Sequence, residues 1–217
     1  MTAITISRQF GAGGSSVARI VSERLGADLI DGNVIGEVAR RLQLRESEVA
    51  GSDERPEALV DRLLGAFRHL APGMSYPWRP PGSEEAVDPR LAVVNLTQEL
   101  IRETTRAGDV VVVGRGGAFL LKDHPNALHV SLRAAEAARQ ETIQGRLMVN
   151  AQTARRRMRT VDAERAAYIR QLYGADWQDA AHYDLVIDTG RLGYERAADV
   201  ILAAVGPGSP HLRVLPG

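Results

Sequence analysis

The chain has 217 residues, 44% hydrophobic and 25% charged, enough for one globular core with a small insert and too little for two large domains. Its 27 basic and 27 acidic side chains cancel, so no overall field recruits nucleic acid or an anionic membrane, and any anion site must be local. Cysteine is absent, which excludes thiol catalysis, disulfides and thiolate metal sites.

No apolar run approaches the ~20 residues that span a bilayer. The N-terminus opens in a strand-like stretch with neither a basic region nor a long apolar one, unlike a signal peptide. A cytoplasmic protein with no membrane or nucleic-acid partner is expected. Every basic residue except Lys122 is arginine, so a phosphate site here has to use arginine or backbone amides.

Short β-branched runs alternate with helical periods from the first residues onward, the pattern of an α/β protein with a mostly parallel sheet. Ile4, Thr5 and Ile6 predict the first strand. Val17, Ile20, Val21 and Leu25 recur at helical spacing, and Gly26 stops that helix. Leu29 and Ile30 begin a second strand ending at Asp31. A helical face over 34–42 leads into an acidic stretch, and the proline-dense segment 71–89, with Tyr76, Trp78 and Arg79, reads as a long loop suited to a lid or a linker. A helix over 91–106 precedes Val110 to Val113, a continuous valine run that fits a strand buried on both faces. A strand over 126–132, helices over 135–147 and 151–174, a strand over 183–189 and a helix over 194–205 complete the order. The tail 206–217, rich in Pro and Gly, reads as mobile.

The first strand runs into Gly11, Ala12, Gly13 and Gly14, followed at once by Ser15, Ser16 and a helix. Glycines in that setting let successive N–H groups curl around an anion, and the helix dipole adds partial positive charge at the same point. A tight turn without a ligand would use the same residues. Against the phosphate-loop pattern Gly-x-x-x-x-Gly-Lys-Ser/Thr, Arg8 replaces the first Gly and Gly14 replaces the Lys. Arg8 then becomes the candidate for the missing cation, because it ends a strand at the edge where open α/β sheets bind ligands. Ser15 and Ser16 can either cap the helix or, for Ser15, coordinate Mg2+.

A second concentration of charge lies downstream. The stretch from Ser131 to Gln171 holds nine arginines against four acids. Phosphoryl transfer spreads negative charge over several oxygens, and mobile arginines closing over it stabilise the transition state while excluding water. Arg139, Arg155, Arg156, Arg157, Arg159 and Arg165 are the candidates, although no helix can point all of them one way. The five histidines show no metal-binding spacing, and no Asp ends the Val110 to Val113 strand.

The opening ITISRQFGAGGSSVARIVSERLGADLIDGNVI resembles the cytidylate kinase-like family, a branch of the P-loop nucleoside monophosphate kinases. VVVVGRGGAFLL is similar to that family's Gly-Arg-Asp strand, RTVDAERAAYIRQLYGADW to its Arg-rich lid, and YDLVIDTGRLGYERAADVIL to its last strand and helix. The resemblance implies a three-layer P-loop NTPase fold over 1–205, with a small helical acceptor-side insert over about 34–107 and an Arg-rich lid over about 134–175. It implies that Gly11 to Ser16 hold the donor phosphates, that Arg8 neutralises charge near them, and that Asp31, Arg115 and Asp162 face the acceptor; together with Arg139, Arg157 and Arg165 of the arginine-rich stretch, Arg8 and Asp31 are expected to serve catalysis. ATP with Mg2+ and a nucleoside monophosphate acceptor follow as the expected substrates. The motif's Asp is Gly116 here. A nucleotide-binding sensor without turnover, or a kinase for another small molecule, are the alternatives.

Overall fold

The computed structural model of the protein describes residues 1–32 and 89–205. Alternating apolar residues build strand β1 (Ala3–Arg8), which enters helix α1 (Gly14–Leu25) through the glycine loop, and strand β2 (Asp28–Ile30) follows. Next come helix α2 (Pro89–Ala107), strand β3 (Val110–Val113), the single turn α3 (Gly117–Leu120), strand β4 (Ala127–Arg133) and helices α4 (Glu136–Leu147) and α5 (Ala151–Tyr173). A 3-10 turn (Ala180–His182), strand β5 (Leu185–Asp188), the single turn α6 (Thr189–Leu192) and helix α7 (Tyr194–Val205) close the described chain. The expected helix over 34–42, the expected loop over 71–89 except for its last residue, and the tail 206–217 lie outside the described residues; Pro89 itself begins α2, where a proline is tolerated because its missing N–H has no partner in a first turn.

All five strands are parallel, in the order β2-β3-β1-β4-β5. Central β1 places Ile6 beside Val113 and Arg8 beside Leu132. The loop after β1 therefore leaves the middle of the sheet's C-terminal edge, the position at which open α/β sheets bind ligands. One sheet face buries Ile4, Ile6, Val111, Val113, Val130, Leu132 and Ile187 against Val17, Ala18, Val21 and Leu25 of α1 and Ala197, Ala198 and Ile201 of α7. The four α1 residues form a stripe at helical spacing, which is why the period is visible in the sequence. The other face carries Thr5 and Val112, against which α3 rests so closely that a Cβ on Gly117 would lie 3.1 Å from Val112 Cγ1. Helices on both sheet faces make three layers.

The 23 residues of α5 owe their length to clear terminal signals: the Asn150 side chain accepts from the Thr153 N–H at 2.9 Å, and Gly174 ends the helix in the left-handed region. Helix α1 begins at Gly14, ahead of its first apolar residue, while α3 and α6 have only four residues each and no readable period. Among the described residues no helix is long and apolar enough to cross a membrane. The chain divides into two units, Met1–Asp31 with Arg102–Gly217, and Gly32–Ile101.

On β4, His129 Nδ1 lies 2.8 Å from the hydroxyl of Thr5, a residue only 1% exposed, and the His129 N–H donates to Asp184 at 2.7 Å. Burial holds the His129 imidazole below its ordinary value, against the pull of the Asp184 carboxylate and with a smaller push from His124. The folded chain therefore binds this proton less readily than the unfolded chain, whose imidazole titrates near pH ~6.5. The resulting stability is complete above that pH and is lost as pH falls through the lower folded value. Denaturant midpoints measured from pH 8 to pH 5 are expected to drop below about pH 6.5, and His129→Gln is expected to flatten that part of the profile.

Candidate active site

The glycine loop reaches α1 through Gly13, which caps the helix in the left-handed conformation (φ 72°) with no side-chain hydrogen bond and no acid in the first turn. The helix terminus thus keeps its partial positive charge uncompensated. Neither Ser15 nor Ser16 is used as a cap; Ser15 is exposed and Ser16 half-buried at the first turn.

Arg8 lies across this loop. A Cβ built on Gly14 would meet Arg8 Cγ at 2.5 Å and Cβ at 2.9 Å, and one on Gly114 would collide with Arg8 Nη1. The stem of Arg8 fills the space into which a side chain at position 14 would grow, and the guanidinium reaches the end of β3. Gly14, where the standard loop has its lysine, is thereby required to be glycine. Burial holds the Arg8 guanidinium well below its ordinary value; Arg165 and then Arg115 push it further, and Asp31 and Asp162 pull the other way. Three arginines face two carboxylates, in a partly desolvated setting that an anion would relieve.

Arg115 leaves β3 with a φ of 55°, between Gly114 and Gly116, both also at positive φ. Its guanidinium is depressed by burial, while Tyr168 and Asp31 act in the opposite sense. Tyr168 is correspondingly pushed up by burial and drawn down by Arg115. At position 116, a Cβ would lie 2.6 Å from Tyr173 Cε2 and 2.9 Å from its hydroxyl oxygen. The Tyr173 ring, stacked on Phe119 at 5.4 Å, occupies the room where the motif's Asp would stand.

Helices α4 and α5 face the loop with a subset of their arginines. Asp162 accepts from the Phe10 N–H at 2.8 Å and from Arg139 Nη1 at 2.6 Å, and Arg165 Nη1 donates to the Arg8 carbonyl at 2.8 Å. Burial also depresses Arg165, with Asp162 opposing it. Arg139 has a second bond to the Phe10 carbonyl at 3.3 Å, and its Nε is buried without a partner. Arg155, Arg156 and Arg159 are exposed, Arg155 being held by Gln140 at 2.6 Å. Arg157 is half-buried. The fold brings Arg8, Asp31, Arg115, Asp162 and Arg165 together and joins Arg139 to them through Asp162.

Four residues that the sequence does not single out also hold the loop. Thr189, 3% exposed, donates from Oγ1 to the carbonyls of Ala12 at 2.9 Å and Arg133 at 3.1 Å. The Gln9 side chain accepts from the Ala134 N–H at 3.2 Å, and the Tyr194 ring lies over Gly13. Phe10 packs with Ile143, Ala154 and Met158 under the guanidinium groups of Arg146 and Arg165. A lone hydrophobic residue in a polar loop was the only available signal, and it pointed to Phe10 alone.

Among the described residues no group of three His, Cys, Asp or Glu side chains is arranged to hold a metal. Oxygen donors at the loop and at the arginine group include the hydroxyls of Ser15 and Ser16 and the Asp31 carboxylate, while the Asp162 carboxylate is engaged by Phe10 and Arg139; such a sparse set would suit a Mg2+ ion carried in by phosphates rather than caged by protein.

Residues 3–191 match the model of the Cytidylate kinase-like family. The cytidylate kinase of Methanopyrus kandleri is 31% identical over 114 residues, an overlap of 49% of this chain and 59% of that protein. The chain thus spans a little over half the length of this curated relative. Among solved structures, an uncharacterized protein from Eubacterium ventriosum superposes with a TM-score of 0.68 at 20% identity, over 94% of this chain and 98% of its own. A shikimate kinase from Bacteroides thetaiotaomicron superposes with a TM-score of 0.49 at 12% identity, over 94% of this chain and 98% of its own. With a parallel sheet, a glycine loop between β1 and α1, and a family match across residues 3–191, the chain belongs to the cytidylate kinase-like family and has a P-loop kinase fold.

Proposed function

We propose that the protein transfers the terminal phosphoryl group of ATP, carried with Mg2+, to a small acceptor, most plausibly a nucleoside monophosphate. The carrying observation is the packing of Arg8 into the space of the absent loop lysine, beside the uncapped α1 terminus and the buried Arg115 and Arg165. In the reaction an acceptor phosphate oxygen attacks the γ-phosphorus, the bond between γ-phosphorus and the β–γ bridging oxygen breaks, and ADP leaves. An ionised acceptor phosphate needs no general base, so the protein's part is positioning and charge stabilisation. Gly11 to Ser16 offer backbone donors to the donor phosphates, Arg8 and Arg165 supply full charges, and Arg115 beside Asp31 and Tyr168 faces the acceptor.

Tyr173 over Gly116 bears on the choice of acceptor. With no carboxylate at that position, a cytosine ring loses the hydrogen-bond acceptor that the family motif places there. The acceptor preference therefore rests on other groups, among them Tyr168 and Tyr173.

Coupled ADP production against a panel of nucleoside monophosphates and other small phosphate or hydroxyl acceptors tests the reading. Saturation by a monophosphate supports it, saturation by another acceptor class assigns a different kinase, and nucleotide binding without transfer to any acceptor assigns a sensor. With the acceptor in hand, Arg115→Ala is expected to raise its KM at least about tenfold while changing the KM for ATP little, the loss of one charge-assisted hydrogen bond. Equal effects on both substrates would remove Arg115 from the acceptor side.

A further inference from the structure

Phe10 lies between β1 and the glycines, immediately before Gly11, and is gripped by α4 and α5 at its amide, its carbonyl and its ring. Its N–H donates to Asp162 Oδ1 at 2.8 Å, and its carbonyl accepts from Arg139 Nη1 at 3.3 Å. Arg139 Nη1 also donates to Asp162 Oδ2 at 2.6 Å, closing a small ring of contacts whose side chains are only 12% and 15% exposed. Two residues earlier, the Arg8 carbonyl accepts from Arg165 Nη1, which stands 3.6 Å from Asp162 Oδ1. Arg8 and Phe10 are more than a hundred residues from Arg139, Asp162 and Arg165 in sequence, so the grip is a product of the fold alone.

A trans peptide is planar, with the carbonyl of one residue and the N–H of the next on opposite sides. Fixing one end of each peptide unit therefore aims the other. With the Arg8 carbonyl on Arg165, the Gln9 N–H turns to the Leu132 carbonyl at 3.0 Å; with the Phe10 N–H on Asp162, the Gln9 carbonyl turns to accept from the Ala12 N–H at 3.1 Å. The third unit differs. Its carbonyl is held by Arg139, and the Gly11 N–H at its other end is turned away from Arg139 and has no protein partner among the described residues. Gly11 itself has a φ of 88° and no room for a Cβ, which would lie 2.7 Å from the Arg139 carbonyl. A glycine-rich loop has no side chains of its own to hold such an orientation and loses much conformational entropy in adopting it.

We propose that Asp162 and Arg139 form a positioning latch: through the Phe10 peptide groups they aim the Gly11 N–H at the donor phosphates, and they touch neither substrate themselves. The proposal rests on the reading of the loop as a phosphate site, and it moves Asp162 from acceptor binding, and Arg139 from direct charge stabilisation, to the orientation of the loop. The asymmetry of the carboxylate explains why an acid is used. One oxygen takes the amide while the other neutralises Arg139, so the arginine can reach the Phe10 carbonyl without leaving an uncompensated charge beneath the loop.

The test is MgATP binding by titration calorimetry, with amide hydrogen exchange over residues 8–14 as a second readout, for the wild type, Asp162→Ala, Asp162→Asn, Arg139→Ala and the double alanine variant. Asp162→Ala is expected to weaken MgATP binding about tenfold or more and to speed exchange at Phe10. Asp162→Asn retains an oxygen for the Phe10 amide and is expected to recover part of the affinity. The double variant is expected to lose little more than either single variant, as residues acting through one contact do. A folded Asp162→Ala protein that binds MgATP as the wild type does, with only its acceptor KM raised, would return Asp162 to the acceptor side and overturn the latch. A wild-type protein that binds no MgATP would instead overturn the phosphate reading of the loop.

Discussion

Arg8→Ala is expected to cut turnover by about a hundredfold or more and to weaken MgATP binding, the scale of losing one donor that stabilises transition-state charge. A triphosphate brings several negative charges into the loop, where backbone amides supply only partial charges. No lysine lies before Lys122, so a full cation at the loop has to be an arginine. Arg8 is the one whose stem packs on the loop itself, against Gly14, with its guanidinium at the end of β3. Arg8→Lys is expected to recover only part of the rate, because an ammonium replaces a planar fork that can hold two oxygens at once. Steady-state kinetics on folded variants, checked by circular dichroism, decide the matter. Near-normal turnover in Arg8→Ala would assign the charge to Arg115 and Arg165 instead.

Gly14→Lys carries the second large effect. It restores the residue that the standard phosphate loop has at this position, yet it is expected to lower turnover by about tenfold or more. The new side chain must enter space held by the Arg8 stem, 2.5 Å from the position of its Cβ. Overpacking of this kind costs typically about 1–3 kcal/mol, here by displacing the cation itself. The Arg8→Ala, Gly14→Lys double variant is the informative protein. Truncation to alanine removes the Arg8 Cγ and Cδ and leaves only its Cβ, 2.9 Å from a Cβ at position 14, so most of the overlap is relieved and the double variant is expected to be more active than either single variant. A double variant whose losses simply add would show that the two positions do not compete for one charge site.

The strand-loop-helix order around Gly11 to Ser16 was legible because glycine clustering and apolar periodicity are local signals. The same holds for β3, whose four valines are all buried as a run of that kind requires. The single turns α3 and α6 were not legible, since four residues cannot display a helical period. Boundaries moved by one to three residues where polar or glycine positions carry no apolar signature, as at Gly14 and Asp28. In the lid, composition identified a surplus of arginine without distinguishing its members. The fold turned Arg139 of α4 and Arg165 of α5 toward the loop and left Arg155, Arg156 and Arg159 exposed, because each helix presents only one face to the loop.

By itself the sequence determined the α/β class, the place of the glycine loop at the end of the first strand, and the need for arginine in place of lysine. Each is a matter of residue type and short-range spacing. Only the tertiary structure decided that Gly14 is empty because Arg8 fills it, that Gly116 is empty because Tyr173 fills it, and that Thr189, Asp162 and Arg139 hold the loop from elements far along the chain. Those outcomes depend on which atoms compete for one volume or one hydrogen bond. Such competition arises only after strands more than a hundred residues apart have paired and carried the connecting segments to the same edge of the sheet.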